Sequence, residues 1–179
     1  ISIKCFTCCL YILMSFETYY TRFINSELDD CLAEINNMMI SYRGLFQERL
    51  FGLLEDSNLK KRQKSIKVLS KFGPQILTDV VELYFEASSD FIKLSCIDVI
   101  IKVFINFEFD LYPESIFEMV SDSLSQKNSA FSLHILPLLK FLGIRGLGIL
   151  QQLKKGENSL QSHLAKIIIE EINYKKRQI

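Results

Sequence analysis

The sequence has no tryptophan, two histidines and three prolines in 179 residues. Two histidines, His134 and His163, leave little material for acid–base or metal chemistry, since no second Cys or His stands at helical spacing beside either. Each reads as a solvated or capping side chain. Charge of one sign is also lacking, with 21 basic and 21 acidic groups. That balance excludes a uniformly basic nucleic-acid binder and an acidic solvating tail. Cysteines number five, an odd count, with three crowded into Cys5, Cys8 and Cys9. They do not form the paired framework of a small secreted domain, and no second CxxC or HxxxH pair completes a zinc site. The setting expected is therefore reducing and intracellular, either cytoplasmic or nuclear. The apolar stretch from Cys5 to Phe16 stops at Glu17, well short of the ~20 residues a transmembrane helix needs. It also lacks the small-x-small cleavage site of a secretory leader. It reads as a buried first helix on which Cys5, Cys8 and Cys9 share a face with Ile12 and Phe16. The chain opens at Ile1 rather than at a methionine, as a fragment or an upstream-extended frame would, and Met14 is a candidate native start.

What is present is apolar mass. Hydrophobic residues make up 49%, with 14 Phe and 7 Tyr, enough for a sizeable core and against disorder. Apolar residues recur at three and four positions almost throughout, and no long strict alternation marks a strand. Breakers fall at Gly44, Gly73-Pro74, Pro113, Gly143, Gly146, Gly148 and Gly156. Between them, polar pauses place Asn58, Asp90, Asn128 and Asn158 where helix N-caps belong. The spacings between those four are 32, 38 and 30 residues, inside the range of helical repeats. Ten residues past each cap stand Val68, Ile100, Leu138 and Ile168, followed by Leu69, Ile101, Leu139 and Ile169. Three further on come Phe72, Phe104, Leu142 and Ile172. This is one buried helix face used four times.

Leu53, Leu54, Asp56, Arg62, Val68, Leu69, Phe72 and Gly73 fall where HEAT-type repeats, relatives of the armadillo repeat, carry their leucines, turn aspartate, arginine, apolar pair and terminal glycine. The segment from about Tyr42 to Tyr174 thus resembles that family in pattern, although Lys61 replaces the expected valine and Arg62 becomes Leu94, Ser132 and Ser162 in later repeats. The resemblance implies an all-α, right-handed α-solenoid of about four HEAT-like helical hairpins. We expect these near 45–72, 74–106, 113–142 and 144–175, preceded by helices near 2–24 and 27–42. Residues 1–42 then form an N-terminal helical pair that caps repeats spanning 43–179. Pro137 is expected to kink the second helix of the third hairpin. Ile105 to Tyr112 reads as an extended turn, and Gly143-Ile-Arg-Gly146-Leu-Gly148, which has no dinucleotide-loop spacing and no Walker lysine, as another turn.

Neutrality conceals bands. Residues 1–42 carry net −3, 43–72 net +5, 79–122 net −8 and 127–179 net +6. Lys60, Lys64, Lys67 and Lys71 recur at helical spacing, with Lys61 and Arg62 flanking the start of the stripe. Such a stripe suits an acidic peptide, an anionic lipid headgroup or a nucleic-acid backbone. Asp79, Glu82 and Glu86 share one helix face and Glu114, Glu118 and Asp122 another, which suits a basic peptide. Lys175-Lys176-Arg177 forms a short basic tail. No cofactor or metal is expected. Members of the resembled family act as scaffolds in many settings, so the function expected is a noncatalytic scaffold or adaptor binding another protein, within a longer chain. The alternative is a basic-stripe module docking on nucleic acid or anionic membrane. A third reading, a DNA glycosylase built on HEAT-like repeats, lacks the tryptophan such enzymes favour, and no aspartate here matches their catalytic one.

Overall fold

A computed structural model describes residues 3–28, 32–109 and 111–176, without the side chains of 3–13, 32–33 and 175–176. The packing expected for Cys5, Cys8 and Cys9, and the basic tail Lys175-Lys176-Arg177, lie outside the described side chains. The fold is all-α. Among the described residues the helices are α1 (Ile3–Asn25), α2 (Leu32–Ser41), α3 (Arg43–Leu53), α4 (Leu59–Leu69), α5 (Leu77–Glu86), α6 (Asp90–Asn106), α7 (Ser115–Ser125), α8 (Ser129–Ile135), α9 (Gly143–Lys155) and α10 (Ser159–Lys176). They fall into two compact units, Ile1–Leu69 and Ser70–Ile179.

In the first unit α1 packs on α2, α2 on α3 and α3 on α4. Helix α1 is joined to the others through aromatics at i and i+7, Phe16 and Phe23, both wholly buried. Phe23 meets Phe46 of α3 edge to face, with ring centroids 5.5 Å apart, and Phe16 meets Tyr42 at 5.7 Å. Helix α3 buries Phe46, Leu50 and Leu53, the i, i+4, i+7 set that puts one stripe inward. Helix α4 begins where Asn58 Oδ1 accepts the Lys60 N–H at 2.9 Å. The Ser65 hydroxyl of α4 donates to the Leu50 carbonyl of α3 at 2.6 Å, so a polar group buried in that contact is satisfied.

In the second unit α5 and α6 pack as a pair, as do α7 and α8, and α9 and α10. Helix α5 buries Leu77, Val80, Val81 and Tyr84, and α7 buries Ile116, Met119, Val120 and Ser123, the same i, i+3, i+4, i+7 pattern. Helix α6 is buried on most sides, through Ile92, Cys96, Ile97, Val99, Ile100 and Val103 among others. Equivalent helices also meet across pairs, α5 with α7 and α6 with α8.

The side chains that join them are separated by nearly one repeat. Tyr84 to Asp122 and Asp90 to Asn128 span 38 residues, and Asp98 to His134 spans 36. Farther along, Ser132 to Gln161 spans 29, and Glu114 to Arg145 and Lys140 to Glu171 span 31.

Three of the four expected caps form. Asn128 Oδ1 accepts the Ala130 N–H and Asn158 Oδ1 the Gln161 N–H, as Asn58 does for Lys60. The fourth is shifted: Ser89 holds the cap position, without a side-chain bond, and Asp90 opens α6. Its carboxylate accepts from Asn128 Nδ2 instead. Val68, Ile100, Leu138 and Ile168 are all buried, and so are Leu69 and Leu139, while Ile101, Ile169 and Ile172 are half-buried.

Pro137 changes the helix type. Helix α8 stops at Ile135 and continues as a 3-10 helix over Leu136–Phe141, because the ring removes one N–H donor and collides with the carbonyl four residues back. The extended stretch after α6 is not a bare turn, since Phe109 and Tyr112 close on Phe104 at 4.7 and 5.5 Å. Gly143 to Gly148, expected as a turn, forms the opening of α9 instead. Gly143 has φ +59, which favours glycine, and a Cβ on Gly146 would run into the Leu139 carbonyl. Gly146 therefore serves a close approach of α9 to the 3-10 segment, and Gly143 the left-handed backbone before it.

Candidate functional site

The basic stripe lies on α4, and the structure gives its members different tasks. Lys64 reaches the end of α1, where its ammonium donates to the Phe23 carbonyl and, at 2.5 Å, to the Ser26 carbonyl. It also stands 4.5 Å from the centre of the Phe23 ring. A cation at the carbonyl end of a helix meets both the unsatisfied acceptors and the negative end of the helix dipole. Arg62 Nη1 donates to the carbonyls of Asp56 at 2.6 Å and Ser57 at 3.2 Å, bracing the turn before α4. Lys61 pairs with Asp56 at 3.2 Å. The Asn58 N–H, and then Lys61, hold the Asp56 carboxyl below its ordinary pKa. Lys60 and Lys67 are exposed.

Lys71 departs from the expectation. Helix α4 ends at Leu69, and Lys71 lies on the following 3-10 helix, Ser70–Phe72. The backbone tightens there ahead of Gly73-Pro74, as the last turn of an α-helix often does. Within the first unit, Lys60, Lys61, Lys64 and Lys67 line one side of an open cleft of about 490 Å³, with Asn58 and Gln63. Residues 24–28, at the end of α1, form the other side, Glu27 among them.

The acidic set divides likewise. Asp79, Glu82 and Glu86 on α5 and Glu118 on α7 are exposed. Glu114 is instead held by Arg145 of α9 through two parallel bonds of 2.5 and 2.7 Å, and the guanidinium lies 3.5 Å above the Phe117 ring centre. That bond lowers the Glu114 pKa. Asp122 faces inward enough to accept from the Tyr84 hydroxyl at 2.6 Å and from Gln126 Nε2 at 3.1 Å. Tyr84 also bonds Ser123 Oγ at 2.9 Å. Burial, then the Asp122 contact, pushes its phenol well above the ordinary tyrosine range. Glu114 and Asp122 therefore tie helices together, as the face periodicity alone did not reveal.

His134 Nδ1 sits 2.8 Å from Asp98 Oδ1, and His163 is exposed. Cys96 is buried, and that burial pushes its thiol up to about 12. Among the described residues no cluster of three or more His, Cys, Asp or Glu side chains has metal-site geometry, and no helix is long and apolar enough to cross a membrane.

Sequence reasoning missed the carbonyl-capping tasks of Lys64 and Arg62 and the tie between Tyr84 and Asp122. The last left a signal, since its 38-residue offset equals that of Asp90 and Asn128. Comparison with protein-family models, curated proteins and solved structures finds no match to this chain. What stands is an all-α chain with a lysine-lined cleft in one unit and an exposed acidic surface in the other.

Proposed function

We propose that this chain is a noncatalytic scaffold built as a HEAT-like, right-handed α-solenoid, about four hairpins after an N-terminal helix pair, and that it binds another protein. The observation that carries this reading is the set of side-chain contacts one repeat apart, at 36 to 38 residues and then at 29 to 31. Stacking of equivalent helices at the spacing of the sequence's own caps is what a solenoid requires, because no hairpin there buries its apolar face alone. The partner surface we assign is the exposed acid of α5 and α7, Asp79, Glu82, Glu86 and Glu118, on two helices that pack together. A basic segment of another protein complements it.

The test is parallel affinity capture with the unaltered chain and an E82K/E86K/E118K variant, followed by titration of each retained protein in purified form. A partner that binds the unaltered chain at least about tenfold tighter supports the assignment. Equal binding to both forms, or no partner, overturns it. The alternative, docking of a phosphate-bearing partner, is favoured by the cleft on α4 alone.

A further inference from the structure

We infer that the α4 cleft of the first unit is a binding site for a small, multiply phosphorylated anion. It is independent of the scaffold reading, which rests on the second unit. Three features carry it. The cleft holds about 490 Å³ and four of its lining side chains are lysines, Lys60, Lys61, Lys64 and Lys67, which matches a compact polyanion in size and charge. The N-terminal turn of α4 belongs to the same wall, through Asn58, Lys60 and Lys61, so the positive end of that helix dipole adds to the lysine charge.

The opposite wall would by itself oppose an anion, since it is the carbonyl end of α1. Lys64 offsets this by placing its ammonium on the Phe23 and Ser26 carbonyls. Asp56 answers Lys61 from outside the cleft lining, and among the described lining residues Glu27, which like Lys67 has an interaction of its own, is the one carboxylate. Among the described lining residues the lysines therefore outnumber the carboxylates.

Phosphate is favoured over a peptide carboxylate because lysine is a point charge with three donors, which suits a tetrahedral group carrying more than one negative charge. Exposed aromatic side chains that would stack bases are absent from the lining, which disfavours single-stranded nucleic acid. The phosphates belong either to a free polyphosphorylated molecule or to a lipid headgroup of the same chemistry.

The probes are inositol hexakisphosphate in calorimetric titration and vesicles containing phosphatidylinositol 4,5-bisphosphate in co-sedimentation. The variant is K60E/K67E, which spares Lys64 and so spares the α1 contact, with circular dichroism checking its fold. K154E/K155E on α9 is the control, with the same change in net charge outside the cleft. We expect saturable binding of the hexakisphosphate that weakens roughly tenfold or more per altered cleft lysine and less than about twofold in the control. Affinity should fall as salt rises. Co-sedimentation that free hexakisphosphate displaces places the phosphates on lipid, and no co-sedimentation places them on a soluble molecule. No binding, equal loss in both variants, or equal affinity for a single-stranded oligonucleotide would each overturn the proposal. If K60E/K67E misfolds, K60Q and K67Q taken singly, each expected to weaken binding, replace it.

Discussion

The two units divide their inter-helix polar contacts differently, although each holds some of both kinds: the first also pairs Arg49 with Glu17 and Arg22 with Glu34, and in the second Gln161 also donates to the Leu124 carbonyl. In the first, cations of α4 answer main-chain carbonyls: Lys64 those of Phe23 and Ser26, Arg62 those of Asp56 and Ser57. Ser65 does the same to Leu50. In the second, side chains answer side chains one repeat away, as Tyr84 does Asp122, His134 does Asp98 and Arg145 does Glu114. A carbonyl is available at the end of any helix whatever its residue, so contacts of the first kind tolerate sequence drift on one partner. Contacts of the second kind need two matching residues at a fixed offset. Their agreement in register therefore says more about how equivalent helices were meant to meet.

The most disruptive way to probe this contrast is Phe23→Ala. Phe23 is wholly buried, packs edge to face on Phe46 and lies beneath the Lys64 ammonium. A loss of about 3–5 kcal/mol is expected. Denaturant unfolding measures it, and hydrogen exchange should show residues 3–69 losing the most protection. Gly146→Ala in the second unit comes next. Alanine gains about 1 kcal/mol of helix propensity, but its methyl meets the Leu139 carbonyl and the Leu142 side chain. Backbone displacement should cost about 1–3 kcal/mol net, and a variant as stable as the parent would show that α9 stands off from the 3-10 segment.

Smaller again is Tyr84→Phe, which removes the hydroxyl that Asp122 and Ser123 share while Gln126 still serves Asp122. About 1 kcal/mol is expected, and a double-mutant cycle with Asp122→Asn should give a coupling of similar size. The smallest effect is with pH. Asp56 and Glu114 have carboxyls held below their ordinary values of 3.8 and 4.5. Each contributes stability that is fully present above those values and is lost as pH falls through the lowered folded pKa. Carbon-detected NMR titration of the two carboxyls checks it, and midpoints at or above the ordinary values would remove both ties. Because both pairs are solvent-exposed, raised salt should shrink the effect in each unit alike.

Most of the helical ground plan was legible beforehand. The pauses at Asn58, Asn128 and Asn158 mark real caps, since a side-chain acceptor for an orphan N–H is a local requirement that the sequence displays. The apolar positions ten residues on are buried for an equally local reason, the 3.6-residue period. Asp90 misled by one residue because Ser89 and Asp90 are both acceptable cap residues. The opening of α9 misled because three glycines in six residues resemble a turn, whereas the missing side chain of one of them, Gly146, admits a neighbouring carbonyl.

The candidate sites were less legible than the helices that carry them. Six cations between Lys60 and Lys71 read as one stripe, yet Lys71 lies on the 3-10 helix after α4. Lys64 holds a helix end some forty residues earlier in the chain. Charge and spacing locate a lysine on a face, but which acceptor it meets depends on which helix end is brought to that face. That is a property of packing over long sequence separation.

Helix type, helix spacing and the apolar face were thus determined by the sequence itself, because caps, breakers and period act within one or two turns. Which charges are tied to another helix was decided only in three dimensions. Glu118 is left on the surface, while Glu114, four residues before it, is bound by Arg145. The two differ in having a guanidinium from another helix within reach, and only folding brings it there.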